Sequence, residues 1–426
     1  MRPSRQKAVM SIAAAAAQPH PGMGFKQFVA FVAAVMATNA LAIDAMLPAL
    51  PDIARSFGLA DELQSQWVLT AYLLGFGAAQ IVYGTLSDRY GRKPVLLFGL
   101  ALYVVAAVAT FFAPDFGSMI VARVVQGIGA AATRVLAVSI VRDCYSGRRM
   151  AQVMSLAMIV FLAVPVLAPS VGQVVILVAP WRWIFGVLAA FGSAVLLWAA
   201  WRMPETLHPE DRRPISLHNI VEAFHTVLSN RIAVGYMLAM TVVLGGLFGF
   251  LNSAQPIFAQ AFGVPHLFTT IFAGIAMSMA LASLTNARLV GRIGSRRISH
   301  VALLGFIALA CLHVVIGSTA GETLWVFVVV QAAMMFCFGL VAPNFNAMAM
   351  EPMGHVAGTA SSVMGFVSTV GAALLGFWLG QRFDGTTLPL GQGMAALGLV
   401  ALVLVILAER GRLFRPHERV VPGLPG

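Results

Sequence analysis

Charge is scarce in this 426-residue sequence: Asp, Glu, Lys and Arg make up 10% of it, against about 25% in soluble globular chains. So few charges cannot cover the surface of a water-soluble protein this long, which excludes that class. Cysteine is scarcer still. Cys144, Cys311 and Cys337 show no pairing pattern and two of them lie inside apolar runs, so they read as buried thiols and not as a disulfide frame. No G-x-x-x-x-G-K-[ST] loop occurs, which argues against an ATP-driven machine. The nine histidines are scattered, with His313 inside an apolar stretch. No cluster of His, Cys and carboxylates suggests a metal centre or an enzyme, so neither a metal nor a cofactor is expected.

What the chain has in excess is apolar: 59% of it is hydrophobic. In lipid only helices and closed barrels satisfy every backbone group. Barrel strands would alternate polar with apolar residues, whereas runs such as 94–114 and 394–408 are unbroken. The fold class is therefore an all-α membrane protein. A span needs about 20 apolar residues, and twelve stretches qualify: 25–50, 63–83, 94–113, 117–141, 151–178, 183–203, 231–259, 268–290, 299–318, 323–346, 357–380 and 390–409. They group as an N-terminal six-helix bundle at 25–203 and a C-terminal one at 231–409. A cytoplasmic tail at 1–24, a cytoplasmic linker at 204–230 and a cytoplasmic tail at 410–426 complete the division.

The net charge of +11 does not point to nucleic acid, because the basic residues recur in short loops and form no continuous patch. Of the 27 Lys and Arg, Arg55, Arg182 and Arg382 fall on one side and Arg123 and Arg134 inside the fourth span. The others fall on the opposite side, which places both termini in the cytoplasm; the membrane expected is a bacterial-type inner one. The segment L-S-D-R-Y-G-R-K at 86–93 returns as L-V-G-R-I-G-S-R at 289–296, an offset of 203 residues. Both copies follow the second span of their half. Such an internal repeat is how many secondary transporters are built.

Ionisable residues inside spans are costly and each needs a reason. Asp44 is the carboxylate well inside a span, eight residues before Asp52 and so roughly 12 Å deep. Arg123 lies eight residues past Asp115, again roughly 12 Å deep, so the two can share one layer. They can exchange a proton or form an ion pair that locks two helices; both readings stay open. Arg134 follows Arg123 by three turns on nearly the same face and suggests either a partly anionic substrate or a partner such as Asp143 or Asp88. The turn G-T-L-S-D-R-Y-G-R-K at 84–93 gathers Gly84, Asp88, Arg89, Gly91, Arg92 and Lys93, a charged turn able to clamp one conformation. Asp88 there can accept from a helix N-terminus or from an arginine. Polar residues within spans, Asn39, Tyr72, Gln80, Tyr236, Asn252, Gln255, Asn344 and Asn346, are candidate substrate contacts or helix-to-helix hydrogen bonds.

With these motifs in place the sequence resembles the major facilitator superfamily. G-x-L-S-D-R-x-G-R-K looks like its signature turn, R-V-V-Q-G-I-G-A at 123–130 like its fourth-helix motif, and P-V-L-A-P-S-V-G-Q at 165–173 like its antiporter motif. The segments A-I-D-A-M-L-P-A-L-P, V-R-D-C-Y at 141–145, W-R-W-I-F at 181–185, P-E-T-L at 204–207 and A-G-T-A-S-S at 357–362 narrow the resemblance. It is then to the bicyclomycin-resistance (Bcr/CflA) type of drug:proton antiporters. The resemblance implies a proton-coupled exporter of small amphipathic compounds, with the bilayer, protons and a small molecule as partners and a monomer as the working unit. It assigns Asp44 and Arg123 to proton coupling, Asp88, Arg142 and Asp143 to the gate, and Pro165, Pro169 and Gly172 to the antiporter helix. Ala168 stands where glycine is usual, and Gln173 replaces the second glycine. Gly291 occupies the place of Asp88 in the second half, which leaves the acidic clamp to the first half alone. A carrier of one metabolite, such as an amino acid or organic anion, is the alternative; a transporter-like sensor is a remoter one.

Overall fold

A computed structural model describes residues 22–212, 217–319 and 322–414. The tails with Arg2, Arg5, Lys7, Arg415 and Arg419 fall outside the described residues, as does Arg213. Among the described residues the secondary structure is helical throughout, and twelve helices are long and apolar enough to cross a membrane. They are α1 (Phe25–Asp44), α2 (Trp67–Tyr90), α3 (Arg92–Phe111), α4 (Phe116–Cys144), α5 (Gly147–Val178) and α6 (Trp183–Arg202), then α7 (Arg231–Pro256), α8 (Phe268–Ile293), α9 (Ser295–Thr319), α10 (Leu324–Met350), α11 (Ala357–Gly380) and α12 (Leu388–Glu409).

The chain sorts into two compact units. The first takes Met1–Glu222 with Ser361–Val370, the second Ala223–Ala360 with Gly371–Gly426. The 204–230 segment holds a helix of its own, Leu217–Ser229. In the first unit α4 packs along α2 and α3 on a run of small residues, with Ala130, Ala131 and Ala132 fully buried. Small side chains let helix backbones approach closely where lipid supplies no hydrophobic drive. On the other faces apolar side chains stand open, among them Phe98, Val105 and Trp201, as a lipid-facing surface requires.

The repeat seen in the sequence has a backbone counterpart. One residue joins α2 to α3: Gly91, at φ 103. One residue joins α8 to α9: Gly294, at φ 86. The two lie 203 positions apart. A side chain is strained at such angles, so glycine is required in both turns.

The cysteine reading needs one correction. Cys144 is buried, but Cys337 is half-buried and Cys311 is exposed. Cys311 shares the open apolar face of α9 with Leu304, Leu312 and Val315, where a small thiol is as compatible with lipid as leucine.

Candidate functional site

The polar core of the first unit is built around Arg123, which is wholly buried. Its Nε donates to the Val68 carbonyl at 3.0 Å, Nη1 to Gln126 Oε1 at 2.7 Å, and Nη2 to the Ala42 carbonyl at 3.1 Å and Met46 Sδ at 3.2 Å. The guanidinium also lies 4.5 Å from the Tyr72 ring centre and 5.6 Å from that of Phe185. Tyr72 donates its hydroxyl to Asn39 Oδ1 at 2.8 Å. One arginine thus ties α1, α2, α4 and α6 together. Ala42 can accept because it sits in the last turn of α1, where carbonyls lack intrahelical partners.

Asp44 ends α1 two residues later. It is 5% exposed and has no hydrogen-bond or ion-pair partner among the described residues. The Asp44–Arg123 lock, one of the two readings left open by the sequence, does not form. The chain breaks here into a turn and two short helices, Leu47–Ala49 and Leu50–Ser56. Gly172 of α5 seats against this break: a Cβ on it would stand 1.8 Å from the Ala45 carbonyl oxygen. Pro165 and Pro169 lie within α5, and having no N–H they leave the carbonyls one turn earlier without helical partners.

At the end carrying the α2–α3 turn, Arg92 is the hub. It reaches Asp88 Oδ1 at 2.5 Å, Asp143 Oδ2 at 3.0 Å and Ser87 Oγ at 2.7 Å. Asp88 therefore pairs with an arginine, and a different carboxylate caps α3. Glu205 Oε1 accepts from the backbone N–H of Arg92 at 2.8 Å and of Thr206 and Leu207 at 2.9 Å each, while its Oε2 accepts from Lys93 N at 3.2 Å. Lys93 Nζ in turn donates to the Ala200 carbonyl in the last turn of α6 at 2.9 Å. A Cβ on Gly91 would lie 2.3 Å from Glu205 Oε2, so the turn glycine also makes room for the cap. Gly84 faces Ser362 Oγ. Arg89 stands exposed over the Tyr90 ring at 5.6 Å, and Arg142 is exposed without a polar partner among the described residues. Sequence reasoning met Glu205 among the charges of the 204–230 segment and within P-E-T-L, and gave it no role. It passed over Gln126, although spacing i, i+3 from Arg123 is a signal that could have found it.

Arg134 is exposed and has no hydrogen-bond or ion-pair partner among the described residues. The acids suggested for it, Asp88 and Asp143, both serve Arg92. It is an open cation deep in a span.

The remaining candidates separate. Gln80 donates to Thr369 at 3.1 Å. Asn344 bridges to Asn286 at 2.6 Å and to the Leu340 carbonyl at 2.7 Å, and Asn252 donates to the Phe248 carbonyl at 2.9 Å. Tyr236 is fully buried; it donates to Glu409 at 2.7 Å and meets His300 Nε2 at 2.9 Å. Gln255 is half-buried and Asn346 exposed, both without polar partners among the described residues.

Tyr236 belongs to a clamp that the sequence reading denied to the second half. Arg296 pairs with Glu409 at 2.9 Å and with Glu351 at 3.2 Å. The acids come from α12 and from the turn after α10, and not from the α8–α9 turn where Gly291 stands. Comparing one turn with the other therefore missed them.

The model of the Major Facilitator Superfamily matches residues 32–376. The chain is 27% identical to a bicyclomycin resistance protein homolog of Haemophilus influenzae over 85% of its length and 90% of that protein's. It is 28% identical to the multidrug resistance protein MdtL of Escherichia coli O127:H6, over 89% and 94%. Among solved structures it shares the fold of the human organic anion transporter MFSD10 (TETRAN), with TM-score 0.68 and 20% identity over 91% of this chain and all of that one.

Proposed function

The chain belongs to the major facilitator superfamily of membrane transporters, and from that premise we propose that it is a proton-driven exporter of small amphipathic compounds, working by alternating access. It takes its drive from the proton gradient, without a cofactor and without enzymatic chemistry. It lies in a bacterial-type inner membrane as a monomer with both termini in the cytoplasm. The drug-resistance names of its relatives support the substrate class.

One observation carries the coupling: Asp44, buried beside the Arg123 network yet bonded to nothing in it. A carboxylate held by fixed donors or paired with a cation keeps one charge state. Asp44 has neither, so its protonation is free to follow whichever side's water reaches it. Arg123, fully bonded, supplies a standing positive field close by without consuming the acid. Transport of substrate and release of the proton then compete for one cavity whose access alternates.

The test is Asp44→Asn in proteoliposomes with an imposed proton gradient. Gradient-driven transport should be lost, with substrate binding and folding retained. Uphill transport at the wild-type rate would remove Asp44 from the mechanism and this reading with it.

A second reading within transport, a carrier of organic anions, is favoured by Arg134, the open cation three turns from Arg123. It bears on which compounds are exported and leaves the driving force unchanged.

A further inference from the structure

We infer that His313, Glu322 and Thr387 in the second unit form a proton-binding site of their own, separate from Asp44, that takes up and releases one proton. His313 Nε2 lies 3.0 Å from Glu322 Oε2, and Thr387 Oγ1 stands 2.5 Å from the same oxygen. The side chains of His313 and Glu322 are 1% and 3% exposed. The wall around them is apolar. The Phe327 ring stands edge-on at 5.6 Å, and the backbone of α12 closes over the imidazole at Gly391, where a Cβ would sit 3.2 Å from the ring.

The hydrogen bonds fix the chemistry. An ionised Glu322 can only accept at Oε2, from the Thr387 hydroxyl and from the imidazole in its Nε2–H tautomer. The remaining atoms, His313 Nδ1 and Glu322 Oε1, are buried and have no hydrogen-bond partner among the described residues. A neutral imidazole beside an ionised carboxylate leaves the pair at −1 inside an apolar wall, an expensive arrangement. One added proton, on Nδ1 or on Oε1, makes the pair neutral overall, as an imidazolium–carboxylate pair or as an imidazole beside a carboxylic acid. The two unpartnered atoms are thus the two positions open to the transferable proton, which belongs to the pair and not to either residue.

Few other charges bear on the pair. On α9 the nearest titratable group is Cys311, exposed on the opposite side; on α10 it is Cys337, beyond three further turns. In the segment before α12, Asp384 Oδ1 accepts from the Thr386 hydroxyl at 2.7 Å. Arg382 lies 3.9 Å from the centre of the Trp378 ring. Neither α12 up to Ala408 nor α7 between Arg231 and Pro256 carries an ionisable side chain except Tyr236, at the far end of its helix. In the orientation proposed above, on which this clause rests, the pair lies at the outward end of its bundle, where protons enter.

The site is tested by infrared difference titration of the full-length protein in lipid vesicles, comparing wild type with Glu322→Gln and Asp44→Asn. The expected result is a one-proton signal in the carboxyl or imidazole bands that is lost in Glu322→Gln and persists in Asp44→Asn. If Glu322→Gln does not fold, NMR of isotope-labelled histidine in the wild type replaces it. There His313 should change between its Nδ1-protonated and unprotonated forms, or stay neutral while a carboxylic-acid band follows pH. Invariant His313 and carboxyl signals across the titration would overturn the site and leave the role of Asp44 untouched. Conversely, uphill transport by Asp44→Asn would overturn that role and leave this titration intact.

Discussion

Gly172→Ala isolates the contact between the antiporter helix and the break beside Asp44. The added Cβ would sit 1.8 Å from the Ala45 oxygen and 3.2 Å from Pro48 Cγ. Real Cβ contacts keep at least 3.0 Å, so α1 and α5 must part by at least 1.2 Å along that line, the difference between 3.0 and 1.8 Å. A backbone carbonyl and a proline ring cannot swing aside as a flexible side chain would. Overpacking of this kind costs about 1–3 kcal/mol, and alanine returns about 0.5–1 kcal/mol in a helix interior, so the net loss of stability is about 0–2.5 kcal/mol. The transport penalty is larger. A misplacement of about 1 Å at a working centre can cost on the order of 100-fold, and the displaced carbonyl belongs to the residue after Asp44. Gradient-driven uptake in proteoliposomes and thermal unfolding, measured together, should therefore show a steep fall in rate with a modest fall in Tm. Gly274→Ala on α8, where the added carbon meets nothing within 4 Å, is the control and should leave the rate unchanged while Tm holds or rises slightly. A Gly172→Ala protein with wild-type transport would refute the reasoning, and so would one that lost rate only by unfolding.

Three further changes probe the rest of the first unit. Glu205→Gln keeps one acceptor oxygen but loses the charge and the Lys93 contact, so thermal unfolding should register about 1–3 kcal/mol of destabilisation. Asp88→Asn weakens one of the two acids on Arg92 while Asp143 remains, and it should shift the population of transport states; unchanged spin-label distances across that end would contradict a gate there. Arg134→Gln should reduce export of an anionic compound while sparing or improving that of a cationic one. Equal loss on both, or none on either, would exclude a role in selecting charge.

The twelve helices were legible because composition forces them: a chain this poor in charge and this rich in long apolar runs has no other way to satisfy its backbone. The place of Arg123, two turns into α4 from Asp115, could be read by counting residues, whereas the count from Asp52 to Asp44 assumed a continuous helix and α1 ends at Asp44. Which atoms Arg123 binds could not be read so, since every residue carries a carbonyl and only the packing of α1 and α2 around α4 decides that those of Ala42 and Val68 meet the guanidinium. Glu205, Glu351 and Glu409 escaped for a related reason. Each acts on a backbone N–H or an arginine far away in the chain, and local spacing carries no trace of such a pairing. Glu322 stands just outside a predicted span and drew no attention there, although His313 and Thr387 both bond to it. His300, at the edge of a span, was likewise passed over, although its Nδ1 accepts from the Phe414 N–H at 3.1 Å.

The turn at Gly91 has a mechanical consequence. A connection of one residue stores no slack, and Glu205 pins it to the chain leaving α6. Three helices are thereby stapled at one end, so any rearrangement of the first unit must carry α2, α3 and the end of α6 as a block. The longest connection of the chain, the 204–230 segment, runs on from the staple. That is the stretch to lengthen, cut or fuse when the two halves are to be expressed apart or joined to a reporter, whereas a single residue inserted beside Gly91 would unseat the cap and the arginine hub together.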